Sequence, residues 1–189
     1  IVTSGLPTDG GVSIYIPSSG NDPYDGDNTF LIPFGTGIDY SNLTDYSVSK
    51  YTPAEITIES ISDDGYITIN PADAELKSTD LTGGDILSYY WHIASSDFAI
   101  QPEVSYIFHY DDGDLDGTAN ETSFVPGWVL DEGTYQRDYE NDVSKVDEGN
   151  NTITFNGTGT GFSLIKANYT AGMSNRFVGA PTIYYSRRA

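Results

Sequence analysis

The chain has 189 residues, 28 of them acidic against 8 basic, for a formal charge of −20, and it contains no cysteine. A surface so negative repels a phosphate backbone, which argues against nucleic acid as a partner. The missing thiols exclude disulfides, thiolate zinc sites and cysteine nucleophiles, and no apolar run reaches the length that crosses a membrane as a helix.

Opening at Ile1-Val2-Thr3, the chain reads as an excerpt of a longer protein. Residues 1–20 hold one strand signal, Val12-Ser13-Ile14-Tyr15-Ile16, taken as an N-terminal edge strand or as linker from a preceding module. A polar loop with Asp22, Asp25, Asp27 and Asn28 follows, and Phe30 to Gly35 is a short apolar strand stopped by Pro and Gly. After Tyr46 to Lys50, the run Ala54 to Ile61 alternates, with Ile56 and Ile58 on one face and Glu55 and Glu59 on the other. Asp63-Asp64-Gly65 is a tight-turn signal and Tyr66 to Asn70 returns after it, so Ala54 to Asn70 predicts a hairpin.

The densest aromatic segment comes next. Leu87, Tyr89, Trp91 and Ile93 alternate with Ser88, Tyr90 and His92, and Val104, Tyr106, Phe108 and Tyr110 alternate with Ser105, Ile107 and His109. That is strand period, with one face of each run for the interior. The turn-forming connection Ala94 to Glu103 predicts that the two runs are neighbouring antiparallel strands, with Trp91 buried beside Tyr89, Tyr106 and Phe108.

Further strands are expected at Phe124–Val125 with Trp128–Leu130, at Thr134–Tyr135, Asn151–Phe155, Phe162–Ile165 and Thr182–Tyr185. Helix signals at Ala72–Leu76 and Tyr139–Val146 are short and polar. Strands at intervals of roughly ten residues, separated by turn signals, indicate an all-β antiparallel sandwich or barrel. Residues 21–189 form one domain in this reading.

The order of several motifs is itself informative: Asn28 to Gly35, Lys50 to Ile58, Ser88 to Ile93, Tyr110-Asp111-Asp112-Gly113-Asp114, then Thr170-Ala171-Gly172 with Ile183 to Arg187. In this order they resemble a β-sandwich module of large surface and secreted proteins of Bacteroidetes-type bacteria, many exported by the type IX route. The resemblance spans Asn28 to Arg187 and implies an immunoglobulin-like sandwich, extracellular or on the cell surface, with structural or adhesive use and no catalytic role. Its partners would be neighbouring modules of the same protein and a cell-surface or glycan ligand. Where that pattern often has Gly-Thr-Glu after the acidic loop, this chain interposes Ala119 and Asn120 before Glu121.

Three sets of residues carry candidate chemistry. Asp112, Asp114 and Asp116 with Gly117 spell the opening of an EF-hand-type Ca²⁺ loop, and Thr118 and Glu121 complete the candidate metal set; position twelve, where such a loop carries a bidentate Glu, is Ser123. The competing account is a solvated turn rich in Asp. Trp128, after Pro126-Gly127, is the candidate for an exposed ring that stacks on a sugar, together with Tyr135 and Tyr139; this is the alternative of a carbohydrate-binding module on a secreted polysaccharide-active protein. His92 and His109, on the outward faces of strands expected to be adjacent, are candidates for a metal pair or a general base. No nucleophile elbow, zinc-protease motif, P-loop or dinucleotide fingerprint is present, so the chain reads as non-enzymatic.

Overall fold

The computed structural model describes residues 11–21, 26–36, 50–76, 85–115, 120–130, 137–155, 162–163 and 166–178. In chain order the strands are β1 (Val12–Ile16), β2 (Thr29–Ile32), β3 (Gly35–Thr36), β4 (Lys50–Tyr51), β5 (Ala54–Ser60), β6 (Gly65–Ala72) and β7 (Tyr90–Ser96). They continue with β8 (Glu103–His109), β9 (Phe124–Leu130), β10 (Arg137–Tyr139), β11 (Val146–Asp147), β12 (Thr152–Phe155), β13 (Phe162–Ser163) and β14 (Ala167–Met173). The first sheet has the order β1-β6-β7-β14-β9-β10 and the second β11-β12-β8-β5-β2, with β13 also on β8; every pairing is antiparallel. The chain is an all-β sandwich, with β3 and β4 as a separate two-stranded ribbon.

Alternation along the strands builds the core between the sheets. Ile67 and Ile69 from β6, Trp91 and Ile93 from β7, and Ala167, Tyr169 and Ala171 from β14 point inward from the first sheet. Ile56 and Ile58 from β5, Val104, Tyr106 and Phe108 from β8, and Ile153 and Phe155 from β12 meet them. Trp91 is fully buried, stacked on Phe108 at 4.8 Å between ring centroids and tilted against Tyr89 at 4.9 Å. Tyr169 lies 5.3 Å from Tyr106 and 5.0 Å from Phe155, so the expected aromatic centre is in place and extends to the later strands.

Both expected hairpins are corrected. β5 pairs with β2 and β8, whereas β6 pairs with β1 and β7, so the segment 61–64 crosses from one sheet to the other. β7 and β8 likewise belong to opposite sheets and face each other through Trp91 and Phe108. Inward and outward residues alternate identically whether two consecutive strands pair edge to edge or face each other across the roughly 10 Å between sheets, so periodicity alone does not choose.

Other expectations meet mixed outcomes. Ala72–Leu76 is not helical, and the Tyr139–Val146 signal is only a 3₁₀ turn at Val143–Lys145. Tyr46–Ser49, Thr134–Tyr135, Leu164–Ile165 and Thr182–Tyr185 lie outside the described residues. β14, which no strand signal marked, is central to the first sheet. Its Ala-Gly-rich sequence has low strand propensity, yet small residues suit a strand covered on both faces. β1 sits at the sheet edge, paired throughout with β6, and Ile16 is buried in the common core.

A smaller apolar cluster of Ile86, Val125 and Phe177, with Tyr139 against it, covers part of the outer face of the first sheet. The Phe177 ring lies over Gly127, where an added Cβ would come within 2.4 Å of Phe177 Cε1. The 3₁₀ turn Ser174–Arg176 brings it there, and buried Arg176 bonds Glu75.

Candidate functional site

The acidic loop at the end of β8 is built from its own hydrogen bonds. Asp111 caps the 3₁₀ turn Asp112–Asp114: its carboxylate accepts from the Gly113 N–H at 2.8 Å, and Asp114 Oδ2 accepts from the Asp111 N–H at 3.0 Å, a reciprocal capping box. Asp114 is fully buried, unlike a carboxylate of a solvated turn. A buried carboxylate needs donors, and the capping box supplies one.

The other described carboxylates of the candidate calcium set, Asp112 and Glu121, also have protein partners. Asp112 Oδ1 accepts from Asn151 Nδ2 at 2.6 Å, which ties the loop to the turn before β12. Glu121 Oε1 accepts from the Tyr110 hydroxyl at 2.5 Å. Burial, then this bond and the Glu121 charge, push the Tyr110 hydroxyl well above its ordinary pKa. Asp116 and Thr118 lie outside the described residues. Among the described residues no three His, Asp or Glu side chains converge as a metal ligand set.

The ring candidates part company. Trp128 is only 8% exposed and points into the sandwich from β9, edge-on to Phe155 at 6.4 Å, which removes it as an exposed stacking ring. Its neighbours Pro126 and Gly127 are residues of β9 itself, paired with Ala171 and Thr170, so the turn expected there is a strand buried on both faces. Tyr139 is half-buried and stacks on Phe177 at 6.3 Å. Tyr135 lies outside the described residues.

The histidines do not form a pair. His92 projects from the outer face of the first sheet, its Nδ1 lying 3.1 Å from Asn168 Oδ1. His109 projects from the outer face of the second, with Nε2 3.0 Å from Glu55 Oε1. Because β7 and β8 are in different sheets, the core lies between them.

A feature the sequence hid lies at the opposite end of the sandwich. Asp63 accepts from the Ala99 N–H and from the Ser62 hydroxyl at 2.9 Å. Asp64 Oδ1 accepts from the Ser18 N–H at 2.6 Å. Two adjacent carboxylates thereby join the crossing 61–64 to the loops after β1 and β7. The Ala99 amide chiefly lowers the Asp63 pKa and the Ser18 amide that of Asp64, while the neighbouring Asp64 carboxylate raises that of Tyr15. In the sequence Asp63-Asp64-Gly65 signalled only a turn.

Beside this latch, a cavity of about 510 Å³ opens between the turn after β1 and the end of β5, lined by Ser18, Asn21, Asp27, Asn28, Glu59 and Ile61, among others. Its polar groups hold its own walls: Asp27 Oδ1 accepts from the Thr29 N–H at 2.8 Å, Asn28 Nδ2 donates to the Ile58 carbonyl at 3.0 Å, and Glu59 Oε1 accepts from the Ser105 hydroxyl at 2.7 Å. Asp22 and Asp25, from the same oxygen-rich loop, lie outside the described residues.

Comparison of the chain with profiles of protein families, with curated proteins and with solved structures finds no match. The resemblance to a bacterial surface module therefore stands on its short motifs alone.

Proposed function

We propose that the chain is a non-enzymatic extracellular module of a larger bacterial surface protein, structural or adhesive in use. The observation that carries this reading is how the polar residues at the sandwich ends are employed. Asp63, Asp64, Asp111, Asp112, Asp114 and Glu121 each accept a hydrogen bond that ties one loop to itself or to a neighbour. Such ties brace the ends of a sandwich whose middle is an aromatic core. They suit a domain that keeps its shape more than one that moves through a reaction cycle. The strong net charge supports solubility in an exposed setting.

The test joins location to chemistry. Antibody against the chain should label intact source cells, and the purified chain should release no reducing ends from polysaccharides. Labelling only after permeabilisation would remove the surface assignment, and turnover abolished by a single acidic substitution would remove the non-enzymatic one. Calcium belongs to this reading as a structural ion on the loop 111–121, supported by the Asp112, Asp114, Asp116, Gly117 spacing. A gain in Tm in millimolar Ca²⁺ over EDTA, lost in Asp112→Ala, would assign it; superimposed melts would remove it.

A further inference from the structure

Among the described residues, the outer face formed by β1, β6 and β7 differs in charge from the outer face of the second sheet. Of 189 residues 28 are acidic, and the outer face of the second sheet carries Glu55, Glu59 and Glu103 along β5 and β8. The outward positions of β1, β6 and β7, in contrast, hold no Asp or Glu. Cross-strand register sets them in rows: Tyr15, Tyr66 and Ser96 form one, and Ser13, Thr68 and Ala94 the next. A third row runs from Asn70 through His92 to Asn168 on β14. Asp64 and Asp97 stand only at the rim, one before β6 and the other after β7.

Two aromatic rings are exposed on this face. Tyr15 is 45% and Tyr66 40% exposed, with centroids 5.5 Å apart and planes 59° apart. Around the rings stand neutral hydrogen-bonding groups: the Ser13 and Thr68 hydroxyls, 2.7 Å apart, and the half-exposed His92–Asn168 pair. Sugar rings present C–H faces that pack on aromatic faces and hydroxyls that need neutral donors and acceptors. The outward positions of β1, β6 and β7 offer these without the cost of drying a charge among them.

We infer that this face, centred on Tyr15 and Tyr66 and bounded by His92 and Asn168, binds a neutral oligosaccharide. The inference rests on the adhesive form of the function proposed above and gives it a ligand class. Its rings are not those of the set expected from the sequence, of which Trp128 is buried.

The test is calorimetric titration of the purified chain with cello-, xylo-, manno- and maltohexaose. Saturable binding to at least one of these is expected. Tyr66→Ala should weaken it by about tenfold or more, Tyr66→Phe should retain it, and Glu59→Gln, on the opposite sheet, should leave it unchanged. Thermal melts of the variants establish that each remains folded. The inference is overturned if none of the four sugars binds, or if binding ignores both Tyr15→Ala and Tyr66→Ala. It is also overturned if Tyr66→Ala instead abolishes a concentration-dependent dimer, which would make the face a contact between copies. Absence of sugar binding leaves the non-enzymatic reading intact, whereas cleavage of a bound hexaose would sink that reading and leave the face.

Discussion

At the residue scale, Trp91 concentrates the energetics of the core. It touches Tyr89, just before its own strand β7, and Phe108 on the other sheet, so truncation opens a cavity that neither sheet can fill alone. Trp91→Ala is expected to destabilise by about 3–5 kcal/mol in urea unfolding. Trp91→Phe should cost much less, because the indole N–H is buried without a hydrogen-bond partner and its removal relieves that penalty. Equal losses for the two variants would show that ring volume is not what holds the sheets together. Gly127 makes a second residue-scale case. A methyl there collides with the Phe177 ring, so Gly127→Ala should cost about 1–3 kcal/mol. In the Phe177→Ala background the added cost should nearly vanish, and a strictly additive pair would refute the contact.

At the element scale, the crossing 61–64 matters more than any strand next to it, since it carries the chain between sheets and holds two neighbouring loops. The Asp63 and Asp64 carboxyls are depressed in the folded state, chiefly by the Ala99 and Ser18 amides. Their contribution is therefore present above the unfolded carboxylate pKa near 4, and it is lost as pH falls through the lower folded values. Unfolding midpoints measured from pH 5 down to pH 2 should fall, and fall less steeply in the double variant Asp63→Asn, Asp64→Asn. A variant curve parallel to the wild type would mean that these bonds do not persist in solution. That this crossing joins two sheets was not legible from its residues. Asp-Asp-Gly favours a tight change of direction, and the strands on either side bury alternate residues in both arrangements. The loop after β8 is similar: Asp111 to Asp116 reads as a cation loop by spacing, while three of the described carboxylates serve a cap and a neighbouring Asn.

At the scale of the whole molecule, charge is the dominant unbalanced term. With a net −20, and with two of its cations, Lys145 and Arg176, already paired to Glu140 and Glu75, the folded state repels itself. Raising NaCl from 0.01 to 1 M shortens the screening length from about 30 Å to about 3 Å. Tm should rise over that range, and sodium chloride and potassium chloride should act alike. A flat Tm would mean that the carboxylates are spaced widely enough, or bonded well enough, to remove the repulsion.

Which side chains face inward follows from the residue pattern alone. Period-two alternation at Ile56–Ile58, Ile67–Ile69, Leu87–Ile93 and Val104–Tyr110 is a property of the strand backbone, and burial of one face follows from it without knowledge of any neighbour. Which strands pair depends on how the sheets assemble. Edge hydrogen bonds are made by backbone groups that every residue shares, so β5 carries no mark that sends it to β8 instead of β6. The same holds for exposure: Trp128 follows a Pro-Gly pair that reads as a surface turn, yet β14 and β10 flank it and Phe177 covers Gly127. Tyr15 and Tyr66 stand 51 positions apart in the chain and meet only because β1 lies against β6.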